Sequence, residues 1–219
     1  MNKKKAVLFD YDGVLVDTME DMYMAWSKAI SKYSKKKISR NLFYLLEGKP
    51  ARKMAEALFT KYNISHFLIE EVIKKKEEIY FKTYHENSKH KLNKKLLKAI
   101  NFLKDKDVLI GLVSGAPLSR IRKTLPPAVF EKFNVVVAAD NVRQGKPHPE
   151  PYLTAVRKLK VKKINTIVVE NAPLGIEAAL AAGLFCIAVE STLHRRHLKN
   201  AQRVIIDFDE MFVYFRSNF

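Results

Sequence analysis

Cysteine is almost absent from this chain of 219 residues, which contains a single one, Cys186. One cysteine cannot form a disulfide within the chain, so the small disulfide-stapled folds of secreted proteins are excluded. Cys186 lies inside the apolar stretch GLFCIAV. We therefore expect it to be a small buried hydrophobic residue rather than a nucleophile or a metal ligand.

Long apolar runs are also missing. No run approaches the roughly 20 residues that a membrane-spanning helix requires, and the first residues, MNKKKAVLFDYD, reach an aspartate too early for a secretory signal. With 47% hydrophobic and 11% aromatic residues, the chain has enough apolar side chains for a sizeable core. We expect a globular protein of the cytoplasm with no membrane contact.

Acidic residues are in deficit, with 23 Asp+Glu against 40 Lys+Arg and a formal net charge of +17. Basic surfaces attract phosphate backbones, so nucleic-acid binding is one alternative. The excess is spread out, because residues 18–89 hold 15 Lys+Arg and 9 Asp+Glu while the rest of the chain holds 25 and 14. Runs such as Lys74 to Lys76 stand beside acids, which is typical of a solvated helix face. Without a recognition motif we do not expect a nucleic-acid partner, and the charge favours small anions.

Short apolar runs alternate with helical patterns over most of the chain. The apolar runs predict strands at residues 6–9, 108–113, 135–138, 164–169, 185–189 and 204–206. The stretches between them predict helices at residues 93–104, 118–125, 150–159, 174–182 and 209–215. This alternation indicates an α/β fold, with a Rossmann-like, mostly parallel sheet flanked by helices.

One interval breaks the alternation. About 95 residues separate the first strand from the second, whereas a crossover between parallel strands needs only about a dozen. This interval has no strand pattern and reads as four helices, with Gly48 and Pro50 marking a break. We predict a helical cap domain of residues 18–89, inserted into an α/β core domain of residues 1–17 and 90–219.

Polar residues follow several of the predicted strands. They are Asp10 and Asp12 after the first strand, Ser114 and Gly115 after the second, Lys146 in the loop GKPHPEPY, and Glu170 and Asn171 after the fourth. The carboxyl ends of parallel strands meet at one edge of a sheet. A nucleophile, a hydroxyl, an ammonium and metal-binding oxygens are therefore expected to come together there, although each of these short motifs alone is a common loop signal.

In these motifs the chain resembles the haloacid dehalogenase superfamily, and the resemblance covers essentially its whole length. The four motifs read DYDGVLVDT, LVSGA, GKPHPEPY and VVENAPLGIEAALAAG. The insertion after the first motif is similar to the cap of the branch that contains small phosphatases and β-phosphoglucomutase. The resemblance implies a phosphoric monoester hydrolase that uses Mg²⁺.

The resemblance also implies catalytic roles. Asp10 would be the nucleophile that forms an aspartyl phosphate, and Asp12 would be the general acid and base. Ser114 and Gly115 would bind the transferring phosphoryl group together with Lys146. Physical reasoning agrees, because a carboxylate that attacks a phosphate dianion needs nearby positive charge. An acid at Asp12 argues against the dehalogenase branch, which needs none.

The predicted metal site departs from the family pattern. Asp10, Asp12, Glu170 and Asn171 are the expected Mg²⁺ residues, but the family usually has a carboxylate where this chain has Asn171. An amide oxygen ligates Mg²⁺ as a dipole rather than as a charge, so affinity falls unless Glu170 takes part. An inactive, degenerate member of the family is the alternative.

The cap bears on the choice of substrate. Its stretch LLEGKPARKMAEAL has Glu47 where the phosphoglucomutase-like branch has a lysine, and Lys49 and Arg52 are the nearby cations that could bind substrate. A carboxylate repels a second phosphate, so we favour a phosphatase for a small phosphorylated metabolite, such as a sugar phosphate, over a sugar phosphate mutase. A non-catalytic phosphate-binding or nucleic-acid-associated protein is the third alternative. The leaving group and the oligomeric state stay open.

Overall fold

The computed structural model describes residues 4–34, 37–87 and 92–219. In these residues six strands form one sheet, in the order β3-β2-β1-β4-β5-β6, and every neighbouring pair is parallel. The strands are β1 Ala6–Phe9, β2 Leu109–Val113, β3 Val135–Val137, β4 Thr166–Glu170, β5 Phe185–Val189 and β6 Arg203–Ile205. The prediction of an α/β fold with a parallel sheet is confirmed.

Ten α-helices accompany the sheet in the described residues. They are α1 Met19–Ile30, α2 Arg40–Leu45, α3 Ala51–Tyr62, α4 Ile69–Asn87, α5 Lys94–Asp105, α6 Leu118–Thr124, α7 Pro127–Phe130, α8 Glu150–Leu159, α9 Pro173–Ala181 and α10 Phe208–Asn218. The short helix α7 was not predicted. The fourth strand begins two residues later than predicted, because a 3₁₀ turn occupies Lys163–Asn165.

The central strand β1 is buried on both faces. Its alternate residues Val7 and Phe9 belong to the hydrophobic core that includes α5 and α10, whereas Ala6 and Leu8 belong to the core that includes α8 and α9. A strand that packs helices on both sides has no polar alternation, which explains why the sequence shows it as a continuous apolar run. The first polar position after β1 is Asp10, at the carboxyl end of the strand.

Helices α1 to α4 have a hydrophobic core of their own. Its largest side chains include Trp26, Phe43, Phe59 and Tyr80, all of them buried. The predicted break at Gly48 and Pro50 lies between α2 and α3. The inserted helical cap is therefore present. The predicted boundaries at residues 17–18 and 89–90 stay predictions, and the second boundary lies outside the described residues.

Lys76 departs from the prediction of a solvated face for the run Lys74 to Lys76. Lys74 and Lys75 are exposed, but Lys76 is only 1% exposed. The reason is its position on α4, because Val72, Lys76 and Tyr80 follow one another at intervals of four residues and all three are buried. The interpretation of this run as wholly solvated is therefore wrong at Lys76.

The cysteine is a buried core residue, as predicted. Cys186 is fully buried in β5, and burial raises the pKa of its thiol well above its ordinary value, as suits an inert core residue.

Within the described part of the chain, none of the helices has the length and apolar character needed to cross a membrane.

The tight contact between β2 and β1 generates a prediction about stability. A methyl group on Gly111 would lie 2.5 Å from Leu8 Cδ2 and 3.0 Å from Val135 Cγ1, inside a filled core. We expect Gly111→Ala to lower the free energy of unfolding by about 1–3 kcal/mol, the usual effect of overpacking. Urea unfolding monitored by circular dichroism measures it. Phe67→Ala, at a side chain that is 101% exposed, is the control, and equal midpoints for the two variants would contradict the prediction.

Candidate active site

The carboxyl ends of β1, β2 and β4 form one edge of the sheet. β1 lies between the other two, and Phe9 is in register with Leu112 of β2 and Val169 of β4. The backbone N–H of Asp10 donates to the carbonyl of Val169 at 3.0 Å. The chain continues from β1 to β2 and β3 on one side and crosses to β4 on the other side, so the strand order reverses at β1, which leaves a crevice at the strand ends.

A buried ammonium joins two of these strand ends. Lys146 is 3% exposed, and its Nζ lies 2.6 Å from Asp10 Oδ1 and 2.5 Å from Glu170 Oε1. It also donates to the carbonyl of Val113 at 3.4 Å, at the end of β2. Tyr152 of α8 donates its hydroxyl to the same Glu170 oxygen at 2.5 Å. Lys146 therefore connects all three central strands.

Backbone N–H groups hold the second carboxylate oxygen of Glu170. Its Oε2 accepts from the backbone N–H groups of Asn171 at 3.0 Å and Ala172 at 3.4 Å. A methyl group on Gly175 would lie 1.9 Å from Oε1, so α9 approaches Glu170 with no room for a side chain. Each carboxylate oxygen of Glu170 already accepts two donors, so the roughly four lone-pair sites of the group are occupied. This does not fit the direct metal ligation that was predicted for Glu170.

The charges of this cluster shift the acidity of its members. Burial is the main cause that raises the pKa of Asp10 well above its ordinary value, and the charge of Glu170 adds to it, while Lys146 opposes the shift. Burial alone would lower the pKa of Lys146, but Asp10 and Glu170 raise it above its ordinary value. The ammonium therefore keeps its proton between the two carboxyl groups.

Asp12 is positioned by a turn and by two donors. Gly13 has a φ of 82°, a conformation that glycine adopts without strain. The backbone turns there, directly after Asp12. Thr18 donates its hydroxyl to Asp12 Oδ1 at 2.5 Å, and Arg120 donates to Oδ2 at 2.7 Å. The carboxylate of Asp12 is therefore held between the beginning of the cap and α6.

Asn171 lies directly after Glu170, at the end of β4. It is fully buried, and its amide nitrogen donates to the Thr192 hydroxyl at 2.9 Å. Its Oδ1 is also buried and has no hydrogen-bond partner in the described residues. A buried amide oxygen without a donor is costly unless something else satisfies it. A hard cation is one such group, and with the carboxylates of Asp10 and Asp12 the oxygen donors suit one.

The cap covers this edge of the sheet. The carbonyl oxygen of Gly48 lies 2.9 Å from the place that a methyl group on Gly115 would take, so the loop after α2 rests on the loop after β2. Between them is a cavity of about 30 Å³, enough for about two water molecules. The charged residues that line it are Asp12, Glu47, Lys49, Lys76, Glu77 and Arg120.

The sequence-predicted substrate residues separate into two groups. Gly115 and Lys49 line the cavity, and Ser114 is buried beside it at the end of β2, where its hydroxyl accepts from the N–H of Ala116. Arg52 is not among the lining residues. Its guanidinium is paired with Glu70 and Glu56 on the cap surface, and its side chain is 63% exposed. Arg52 instead lines a separate, larger pocket of about 670 Å³, together with Lys49 and the loop that carries Lys146.

Three residues of the site were missed by sequence reasoning. Arg120 lies in the helix after LVSGA and gave no signal of its own, because its contact with Asp12 joins residues 108 positions apart. Lys76 could have been found from its place in the buried stripe of α4. Tyr152 lies two residues after Glu150, in a segment read only as a helix, and its contact with Glu170 depends on how α8 packs.

The fold and the site define a capped α/β hydrolase with an aspartate pair at the end of its central strand. The chain belongs to the haloacid dehalogenase-like hydrolase family, whose model matches residues 7–189. The resemblance stated from the motifs is confirmed, and so is the prediction that the protein is an enzyme of this superfamily.

Individual relatives agree with the family assignment. A phosphorylated carbohydrates phosphatase of Thermotoga maritima is 31% identical over 82% of this chain and 82% of its own length. A β-phosphoglucomutase of Bacillus subtilis is 29% identical over 84% of this chain and 83% of its length. The crystal structure of a β-phosphoglucomutase from Clostridium difficile superposes with a TM-score of 0.82 at 26% identity, covering 98% of this chain and 96% of the other.

Glu47 generates a prediction about pH. Burial is the main cause that raises its pKa from 4.5 to about 7, the charge of Asp12 adds to it, and Arg120 opposes it. Between these pH values the folded protein holds a proton that the unfolded chain has released, so this residue makes stability fall as the pH rises toward 7. Glu47→Gln removes that contribution. We expect the decline in the free energy of unfolding from pH 5 to pH 8 to be shallower in this variant than in the wild type.

Urea titrations at a series of pH values provide the measurement. Glu177→Gln makes the same chemical change at an exposed position of α9 and should follow the wild-type pH dependence. Parallel pH profiles for Glu47→Gln and the wild type would show that the carboxyl group of Glu47 titrates as it does in the unfolded chain.

Proposed function

We propose that the protein is a Mg²⁺-dependent phosphatase that hydrolyses a small phosphorylated metabolite, most simply a phosphorylated sugar, through an aspartyl phosphate on Asp10. The observation that carries the proposal is the buried ammonium of Lys146, 2.6 Å from Asp10, with Asp12 held beside it by two donors. Lys146 supplies the positive charge that a carboxylate needs in order to approach a phosphate. The relative from Thermotoga maritima, named as a phosphatase of phosphorylated carbohydrates, supports the substrate class.

The first half of the reaction forms the phosphoenzyme. A carboxylate oxygen of Asp10 bonds to phosphorus, and the bond between phosphorus and the leaving oxygen breaks. Asp12 gives its proton to that oxygen, so the product leaves as a neutral alcohol. Lys146 and the strand-end loop with Ser114 and Gly115 stabilise the charge on the phosphoryl oxygens.

The second half releases inorganic phosphate. Asp12, now ionised, accepts a proton from a water molecule, whose oxygen bonds to phosphorus. The bond between phosphorus and Asp10 breaks, and both carboxyl groups return to their starting states. The hydrogen bonds from Thr18 and Arg120 keep Asp12 in one orientation through both steps, as a general acid and base requires.

The proposed metal residues are Asp10, Asp12 and Asn171. Mg²⁺ would supply there the positive charge that favours the ionised form of Asp10 and offsets the charge of the phosphoryl oxygens. The unpaired Oδ1 of Asn171 supports its part in this set. For Glu170 we propose a different role from the predicted one, which is to position Lys146 together with Tyr152.

Substrate entry involves the contact between the cap and the core. The loop that carries Gly48 lies against Gly115 over the strand ends, and we propose that this contact opens when the substrate binds. Closure then removes bulk water from the phosphoenzyme. The charged residues of the cap side that face the closed site are Glu47, Lys49, Lys76 and Glu77.

A sugar phosphate mutase is the second candidate. The relative from Bacillus subtilis, named as a β-phosphoglucomutase, favours it. A mutase transfers the phosphoryl group from the aspartate to a second hydroxyl of the sugar and must hold a substrate that carries two phosphates. Glu47 faces the cavity where such a second phosphate would approach, and its negative charge favours the phosphatase.

The proposed function predicts the behaviour of Asp10→Asn. We expect this change to lower kcat for p-nitrophenyl phosphate by a factor of at least about 1,000, because an amide cannot form the phosphoenzyme. A panel of phosphorylated metabolites, assayed with and without Mg²⁺ beside an assay for glucose 1-phosphate isomerisation, identifies the reaction. Asp105→Asn, at an exposed residue, is the matched control and should keep wild-type activity. Normal turnover in Asp10→Asn would eliminate the mechanism.

The metal assignment predicts the behaviour of Asn171→Asp. Replacing a neutral oxygen with a charged one should lower the Mg²⁺ concentration for half-maximal activity and for half of the Mg²⁺-induced rise in Tm, because hard cations prefer carboxylates. Asn218→Asp adds the same charge at the opposite edge of the sheet, where Lys5 contacts the Asn218 carbonyl, and should change neither value. Unchanged Mg²⁺ dependence in Asn171→Asp would remove this residue from the metal site.

A further inference from the structure

The amino-terminal ends of the strands form the edge of the sheet that lies opposite the active site. In a parallel sheet with helical crossovers, the carboxyl ends of the helices return to this same edge. Lys5, before β1, accordingly donates through Nζ to the carbonyl of Asn218 at the end of α10, at 3.0 Å. Lys104, in the last turn of α5, donates to the carbonyl of Lys132 before β3, at 3.1 Å. We call this surface the amino edge.

Lysines precede three neighbouring strands at the amino edge, and all five of them are exposed. They are Lys4 and Lys5 before β1, Lys106 before β2, and Lys162 and Lys163 before β4. Because Ala6 is in register with Leu109 of β2 and Thr166 of β4, the three segments lie side by side. The five lysines therefore share one surface.

Further cations come from the ends of helices. Lys104 is in the last turn of α5, Lys158 in that of α8 and Arg216 in that of α10. Lys160 follows α8 directly as its C-cap, and all four side chains belong to exposed residues. A cation at the end of a helix is favoured by the helix dipole. The dipole accounts for these four positions but not for the lysines that precede the strands.

The positive charge of the amino edge is poorly balanced. None of these nine cations forms an ion pair with a carboxylate in the part of the chain that the structure describes. The acids that the same segments contain are Asp105, Asp107 and Glu131. Along the sequence the cations are dispersed between residues 4 and 216. The excess of charge therefore looks evenly spread in the sequence, and the fold gathers it.

Two exposed apolar side chains lie among these lysines. Ile164 directly follows Lys163 and is 89% exposed, and Phe185 at the start of β5 is 39% exposed. β5 is the neighbour of β4, and a methyl group on Gly183 would lie 3.8 Å from Lys163 Nζ. The beginning of β5 is therefore close to the lysines before β4. Exposed apolar side chains beside lysines are typical of surfaces that lie on a membrane.

We propose that the amino edge is a contact surface for an anionic lipid bilayer. The lysines lie against the charged headgroups, and Ile164 and Phe185 enter the boundary between the headgroups and the acyl chains. The sequence-based expectation of no membrane contact came from the absence of a spanning segment, and a protein that lies on a bilayer needs none. The contact itself does not depend on the phosphatase function.

Nucleic acid is the other polyanion that such a surface attracts. The exposed apolar side chains favour the bilayer, because a phosphate backbone offers Ile164 no apolar surroundings, whereas the acyl boundary does.

Sedimentation with lipid vesicles tests the proposal. We expect the protein to sediment with phosphatidylcholine vesicles that contain about 30% phosphatidylserine and to stay in solution with pure phosphatidylcholine, because each lysine near an anionic surface strengthens binding about fivefold. Binding should be lost in about 0.5 M NaCl, which screens the charges. Equal sedimentation with both kinds of vesicle, or with neither, would overturn the proposal.

Three lysines changed together locate the surface. Lys106→Gln, Lys162→Gln and Lys163→Gln in one chain should weaken vesicle binding about 100-fold. The matched control removes three exposed lysines of the cap by the changes Lys28→Gln, Lys61→Gln and Lys74→Gln. It lowers the net charge equally and should change binding by less than about threefold, since distant charges are screened. Equal losses in the two triple variants would show that net charge alone attracts the vesicles, which contradicts a defined surface.

A single substitution separates a bilayer from nucleic acid. Ile164→Ser should weaken vesicle binding about tenfold, because the side chain no longer enters the apolar boundary, and should leave the affinity for a labelled DNA duplex unchanged. Phe67→Ser, at a side chain of the cap that is 101% exposed, is the control and should change neither affinity. If Ile164→Ser binds vesicles like the wild type while the lysine variant loses affinity for vesicles and DNA alike, the surface binds polyanions in general and the lipid assignment is wrong.

The active site faces away from a bilayer bound at the amino edge. Asp10 and Lys146 lie at the opposite ends of the strands, beneath the cap. We therefore expect the same kcat for p-nitrophenyl phosphate with and without anionic vesicles, and loss of activity on binding would place the contact at the cap instead. This measurement rests on the proposed function, whereas sedimentation needs no activity, so a failure of the phosphatase and a failure of the membrane contact are distinguished.

Discussion

The buried ion cluster around Lys146 is the interaction on which the rest of the site depends. An ammonium that is 3% exposed needs both of its carboxylate partners, Asp10 and Glu170, because burying an unpaired charge is far more costly than burying a matched set. The partners sit at the ends of two neighbouring strands, so their spacing is set by the sheet itself. Tyr152 and the close approach of α9 at Gly175 then fix Glu170 in one position. Removing any partner leaves a charge unpaired at the catalytic centre.

Much of this arrangement could be predicted from the sequence. The central strand β1 is fully apolar because helices cover both faces of the sheet. Asp10 and Lys146 lie in motifs whose loops converge by the geometry of a parallel sheet. What the sequence could not supply was the set of hydrogen bonds that Glu170 accepts. These bonds come from α8 and from the backbone after β4, and no spacing in the sequence specifies them.

The residues at the contact between cap and core were harder to predict for a different reason. Lys76 was interpreted from its charged neighbours, although its interval of four from Val72 and Tyr80 places it on the buried face of α4. Arg120 reaches Asp12 only because α6 follows the strand next to β1. Contacts between two separately packed cores leave no periodic pattern in a sequence, since each residue is patterned for its own helix and not for its partner.

The charged lining of the cavity has a consequence for the opening of the cap that we propose. Each closure takes Arg120 and Lys76 out of water, and each opening restores their hydration, so the closed form gains less from burial than an apolar contact surface would give it. An apolar surface of the same shape would hold the cap shut and slow the departure of product. In that motion, buried like charges would keep the open and closed forms close in free energy, and a ligand of opposite charge would shift the balance toward closure only while it is bound.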